Sequence, residues 1–216
     1  MKYLELIKEG MKKLECEFKK DELAYLALTS KVERQVRDKF AWYLYKKLEK
    51  SKKKCCFVIR EYGIKDKRKK IDFAILNKEG KPKVFIEFKA MSVLSHLGNK
   101  DSRTKMEEDI AKMKKAKNGK TELYFIQLVN LPDGIAENYS EPHYKYHIQP
   151  SQLKGIKEYL DKYGNAREVL KKVKEKWEEG LKGKGNKFYC STIEAGKFYD
   201  NSLDIVYWII WPKNQK

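Results

Sequence analysis

No stretch of this chain approaches the roughly 20 consecutive apolar residues that a bilayer-spanning helix needs, so no helical membrane span is expected. The first twenty residues are amphipathic and carry Glu5, Glu9, Glu15 and Glu17, a pattern unlike the basic-then-apolar signal peptide. Histidine is scarce. His96 stands alone, and His143-x3-His147 lies in a Pro-flanked aromatic segment that alternates like a strand, so its helical metal spacing reads as a surface feature. The four cysteines (Cys16, Cys55, Cys56 and Cys190) lack metal-ligand spacing. They read as reduced thiols of a cytoplasmic protein, and zinc has no support. Acidic residues are also in deficit, 31 against 49 Lys plus Arg, for a formal charge of +18. Self-repulsion on that scale costs stability and points to a polyanionic partner, nucleic acid first. A lysine-rich proteome is the plainer source of the same charge. An anionic membrane surface fits less well, because the basic residues spread over the whole chain. Charged residues at 37% beside hydrophobic residues at 41% describe a globular chain rather than a disordered one.

What is present is an orderly alternation of elements. Leu4, Ile7, Met11, Leu14 and Phe18 recur at helical spacing. Asp21 is placed to cap a second helix from about Glu22, and Ser30 a third from about Lys31 to Lys50. Val32, Val36, Phe40, Leu44 and Leu48 form the buried stripe of that third helix. Strands follow at Cys55 to Tyr62, at Lys70 to Leu76 and at Val84 to Ala90, the last two joined by the turn Asn77 to Pro82. A helix from about Ser102 to Ala116, with Met106, Ile110 and Met113 inward, leads to the strand Glu122 to Val129. That strand is apolar on both sides and so central. Asn130 to Pro150 reads as an aromatic loop, Gln152 to Leu181 as helix interrupted near Gly164. Lys187 to Ile193 and Leu203 to Trp211 read as a closing hairpin in which Tyr207, Trp208 and Trp211 are core. There is neither a repeat nor a long linker, so one domain over 1–216 is expected.

The chemistry concentrates on the middle hairpin. Asp72 lies on its first strand, Glu87 and Lys89 on its second. Residues two apart share a strand face, so Glu87 and Lys89 project together while Ile86 and Phe88 face the other way. Two carboxylates and a lysine on an otherwise apolar sheet are expensive unless paired or bound to metal. They point to a Mg²⁺ site with a lysine beside the attacking water, chemistry suited to phosphodiester hydrolysis. Each residue also has a plainer reading. Glu87 and Lys89 read as a salt-bridge pair on a solvated face, Asp72 as a strand start, and Glu33 as a first-turn glutamate stabilising its helix dipole.

In Ile71-Asp72, in Glu87-Phe88-Lys89 and in the order helix, three strands, helix, strand, the chain resembles the PD-(D/E)xK nuclease superfamily. Ile71 stands where the family's name has proline. Glu33, in Val32-Glu33-Arg34-Gln35-Val36, matches the glutamate that the family often carries on its first core helix. The resemblance covers roughly Lys31 to Val129. It implies an α/β fold with a restriction-endonuclease-like core at 31–130, a mixed central β-sheet flanked by helices. Around it would lie a helical N-terminal extension at 1–30 and a C-terminal helix plus hairpin within 131–216.

For the site, the resemblance implies that Asp72 and Glu87 bind Mg²⁺, with Mn²⁺ as a substitute and the Phe88 carbonyl as a further oxygen. Lys89 would orient the attacking water or stabilise charge on phosphate, and Glu33 would hold a water at the ion or set the site's charge. It implies DNA as substrate, in restriction, defence or other DNA processing, and a homodimer if both strands are cut. Ser92 is a candidate phosphate donor or a plain turn residue, and Gln127 a site assistant or a hydrogen-bonded core glutamine. Backbone phosphates are expected at Lys65, Lys67, Arg68, Lys69 and Lys70, beside Asp72, and at Arg103 and Lys105. Two readings from other classes stand beside this one. One is a non-catalytic basic nucleic-acid-binding protein that retains the fold, the other an intracellular protein-interaction domain.

Overall fold

The computed structural model describes residues 3–30, 32–50, 56–64, 69–92, 100–117, 119–133, 150–198 and 201–213. Apolar residues at helical spacing build its first layer. Helix α1 (Tyr3–Lys13), extended by a 3-10 turn at Leu14–Cys16, buries Leu6, Ile7, Met11 and Leu14. Gly10 lets it approach its neighbour closely, since a Cβ there would lie 2.8 Å from Phe40 Cε2 and 2.9 Å from Tyr43 Cδ1. Helix α2 spans Glu22–Thr29 and α3 Glu33–Lys50. The predicted stripe of α3 is buried throughout, from Val32 to Leu48.

Both expected serine and aspartate caps act differently. Asp21 precedes α2 in a left-handed conformation (φ 63°) and makes no side-chain cap bond. Its carboxylate instead accepts from Lys197 N at 2.8 Å, tying the helix entry to a distant strand. Ser30 closes α2 rather than opening α3, its hydroxyl donating to Leu26 O at 2.8 Å. A helix's last carbonyls need donors as much as its first amides need acceptors.

The sheet is mixed and six-stranded. Strands β1 (Cys56–Gly63), β2 (Lys70–Asn77) and β3 (Pro82–Ser92) form an antiparallel meander. Asn77 sets the β2–β3 turn, its side-chain oxygen accepting from Glu79 N and Lys81 N at 3.2 and 2.8 Å. Helix α4 (Lys100–Ala116) then crosses over to β4 (Glu122–Asp133), which pairs parallel with β3. After α5 (Pro150–Tyr163) and α6 (Ala166–Gly183), β5 (Asn186–Phe198) and β6 (Asn201–Pro212) return as a hairpin. The strand order is β1-β2-β3-β4-β6-β5, so the closing hairpin extends the same sheet beyond β4.

β4 is central and buried along nearly its whole length, as its apolar run predicts. It also runs past the predicted end, Asn130 to Asp133 pairing with β6 where a loop was expected. Pro132 is accommodated there, opposite Leu203. Residues 134–149, with His143 and His147, and His96 lie outside the described residues.

Helices cover both faces. Phe40 of α3 packs against Phe73 and Phe88, with ring centroids 6.1 and 5.2 Å apart. Glu87 faces the other way and meets α4. Register carries that second face across the sheet from Lys89 to Gln127 to Trp208, where α6 covers it with Trp177. One core cluster thus runs from Leu6 to Ile210, with Tyr207 and Trp208 buried in it as predicted. Among the described residues, no helix is long and apolar enough to cross a membrane.

Candidate active site

β2 and β3 are paired from Pro82 up to Phe73 and Ile86. The next residues along each strand are Asp72 and Glu87, and there side chains take over the hydrogen bonding. Asp72 N donates to Glu87 Oε2 at 3.2 Å, while Phe88 N donates to Asp72 Oδ2 at 2.8 Å. Two residues further on, Ala90 N donates to Glu33 Oε2 at 2.7 Å, reaching the start of α3. β3 meanwhile stays paired to β4 as far as Ser92. Asp72 and Glu33 therefore accept from successive outward N–H groups of β3, at Phe88 and Ala90. A buried N–H left without an acceptor would cost about 1–3 kcal/mol, so these carboxylates hold the fork open as a built feature.

Each central carboxylate also meets a cation that the sequence reading overlooked. Arg37 Nη1, one helical turn after Glu33, lies 2.6 Å from Asp72 Oδ1. Lys112 Nζ on α4 lies 2.5 Å from Glu87 Oε1 and 3.0 Å from Asp109 Oδ1. The cation on Glu87 is thus Lys112 rather than Lys89, and Glu87, 7% exposed, is far from a solvated face. Spacing offered a faint signal for both: 33 and 37 share a helix face, as do 109 and 112. In so lysine-rich a chain that signal is swamped.

Glu87 is the electrostatic centre. Burial, followed by the charge of Asp72, pushes its carboxyl up to about 7, against the pull of Lys112. For Lys112, burial acts to lower the value, but Glu87 and Asp109 more than offset it and the ammonium is held above its ordinary range. For Arg37, burial is likewise outweighed by neighbouring carboxylates, Asp72 foremost.

Lys89 is half-buried and, among the described residues, makes no ion pair. Its carbonyl accepts from Gln127 Nε2 at 3.0 Å, and Gln127 also donates to Leu128 O at 3.0 Å. Gln127 is buried on the site's side of β4, and among the described residues its Oε1 has no hydrogen-bond partner. Phe88 contributes its backbone N–H, while its ring belongs to the opposite face.

Of the expected phosphate contacts, Lys70 pairs with Glu61 at 2.9 Å on the surface, and Lys105 is exposed on α4. Lys69 is exposed and lines a groove beside α4. Lys65, Lys67 and Arg68 lie outside the described residues, as do the side chains of Arg103 and Ser92.

Among the described residues, no three His, Cys, Asp or Glu side chains converge as a metal-ligand set. Mg²⁺, however, is commonly held by one or two carboxylates, with water and substrate phosphate completing its shell. Asp72 and Glu87, hard oxygen donors linked through the fork, fit that ion in kind and number. Comparison with known proteins adds no relative: no family model, no curated protein and no solved structure matches this chain.

Proposed function

We propose that this protein is a divalent-metal-dependent nuclease of the PD-(D/E)xK type, built on a restriction-endonuclease-like core, that hydrolyses phosphodiester bonds in DNA. The observation that carries this reading is the convergence of Asp72 and Glu87 in the β2–β3 fork. The surrounding order of helix, antiparallel meander, crossover helix and parallel strand supports it. A bound Mg²⁺ would supply charge neutralisation at phosphate and a more acidic water.

The chain's own residues do the rest. Asp72 and Glu87 would hold the ion. Lys89, extending from the same strand face as Glu87 and unpaired among the described residues, would present its ammonium to the attacked phosphate or its nucleophile. Glu33 anchors β3 just beyond Lys89 and so positions that lysine. Arg37 and Lys112 neutralise the two acids before substrate arrives.

The same two cations favour a second reading, a basic nucleic-acid-binding protein that keeps the fold without catalysis. Supercoiled, linear, single-stranded and branched DNA incubated with Mg²⁺, Mn²⁺ or chelator separates the two. Cleavage is expected only with an ion, and to fall roughly 10²-fold or more in Asp72→Asn and Lys89→Ala. Activity unchanged in those variants overturns the site. Salt-sensitive binding without cleavage, indifferent to chelator, supports the second reading instead.

A further inference from the structure

The sheet's two edges are finished differently. At β5, Glu194 N and Lys197 N donate to the Glu15 and Asp21 carboxylates at 3.3 and 2.8 Å, so side chains from the N-terminal layer occupy part of that edge. β1 is the other edge. Among the described residues, nothing bonds its outward N–H and C=O groups. An uncovered edge is a template for another strand, and charged residues or a covering element normally blunt it. Here apolar residues flank it instead. Five large apolar side chains stand exposed among the described residues, and Trp42, Tyr45, Phe57 and Ile59 are four of them. Phe57 and Ile59 share one side of β1, and register through Ala74 puts them on the face of Phe85. Trp42 and Tyr45 stack on α3 with centroids 5.6 Å apart. Their side of the helix includes Asp38, which pairs with Arg60 of β1, so the two rings flank the opposite face of the same strand.

We infer that the β1 edge is closed by β1 of a second copy, joining the two sheets in an antiparallel, two-fold dimer. Three observations favour a copy over a foreign strand. The extended run is short and defined, from Cys56 to Arg60, because Glu61 takes φ +50° and drops out of the ladder. Antiparallel pairing opposes residues of like orientation, so a two-fold seam passes through one residue, and Val58 is the centre of this run. In that register Phe57 of each copy meets Ile59 of the other, an aromatic against a β-branched side chain on both sides of the seam. Charge does not oppose the contact locally. Arg60 pairs with Asp38, Lys70 with Glu61 at 2.9 Å, and Lys46 lies 4.7 Å from the centre of the Trp42 ring. An acidic foreign strand would find these cations already engaged. The area is also sufficient. The four side chains each leave between 38% and 53% of their surface in solvent, on the order of 100 Å² apiece. With the strand backbone, the two copies would bury about 1,000 Å² in total, the low end for a specific interface. None of the four belongs to the proposed catalytic site, so the dimer stands or falls apart from the nuclease reading.

Sedimentation velocity of the full chain across the micromolar range tests this. A monomer–dimer equilibrium is expected, and added salt should tighten it by screening the repulsion between two +18 chains. Phe57→Lys, which sets a charge against Ile59 at an exposed position, should weaken dimerisation roughly tenfold or more, and Trp42→Ala should weaken it several-fold. Tyr25→Ala removes the fifth exposed side chain, which packs on Phe198 of the opposite edge strand, and should leave dimerisation unchanged. Photocrosslinking from benzoylphenylalanine in place of Phe57 should label residues around Ile59 of a second copy, which covers the case of a Phe57→Lys variant that folds poorly. A monomer at every concentration overturns the inference. So does a dimer that Phe57→Lys and Trp42→Ala both leave intact, because its contact would lie on another surface. A monomer whose position-57 crosslinks go to an added apolar peptide would assign the edge to a foreign strand and overturn the second copy.

Discussion

Glu87 concentrates the physics of the site in one side chain. A free carboxyl of this type titrates near 4.5, but burial beside Asp72 carries it to about 7 in the fold. Between those values the folded chain keeps a proton that the unfolded chain has released. Unfolding free energy therefore falls as pH rises through that window and levels off above it. At about 1.4 kcal/mol per pH unit, the two values translate to roughly 3 kcal/mol, lost between mildly acid and slightly alkaline conditions. Glu87→Gln imitates the protonated form at every pH. Urea denaturation should accordingly find the variant gaining on the wild type between pH 5 and pH 8. A gap that stays constant over that range would count against burial as the cause. The tension is what a ligand can relieve, since a divalent ion favours the ionised carboxylate that the apolar surroundings oppose.

Elements here are joined by a few polar contacts at places where backbone geometry changes. The β5–β6 ladder shifts register between Glu194 and Gly196, and Gly196 takes φ +99°. A Cβ at Gly196 would lie 2.6 Å from Asp21 Oδ1 and 3.0 Å from Asp21 Cα, the residue that caps Lys197 N. Gly196→Ala should therefore cost about 2–4 kcal/mol, from left-handed strain plus the clash with α2's entry. Gly63→Ala, where an added Cβ meets nothing, should stay within about 0.5 kcal/mol. Thermal or urea denaturation of the pair checks both. Equal stabilities would mean that the bulge moves freely away from α2. The β2–β3 fork follows the same logic, with carboxylates from α3 and β2 substituting for ladder bonds that the parting strands cannot make.

At the scale of the molecule, the +18 charge should govern association with any polyanion. Binding that displaces counterions from about six phosphates should weaken roughly 10³-fold between 50 and 200 mM salt. The slope of log affinity against log salt for duplex DNA measures that number. A slope near zero would assign the charge to proteome background and remove duplex DNA as a partner. Much of the architecture was legible beforehand for a simple reason. Strand and helix periods record which side of an element faces apolar surroundings, and that places Asp72 and Glu87–Lys89 on their strands and Phe40 in the core. What periodicity omits is the identity of the neighbour. Arg37 and Lys112 look like any other basic residue among 49 until the packing of α3 and α4 sets them on Asp72 and Glu87. Ser30 and Asp21 are good capping residues at credible positions, and only the packing of α2 against its surroundings decides which backbone groups they meet. The chain's own order of residues settles the elements and the polar residues each one carries. Their convergence at the β2–β3 fork and the elevation of Glu87 to about 7 arise from contacts between segments far apart in sequence. Such contacts depend on burial and distance, and local pattern encodes neither.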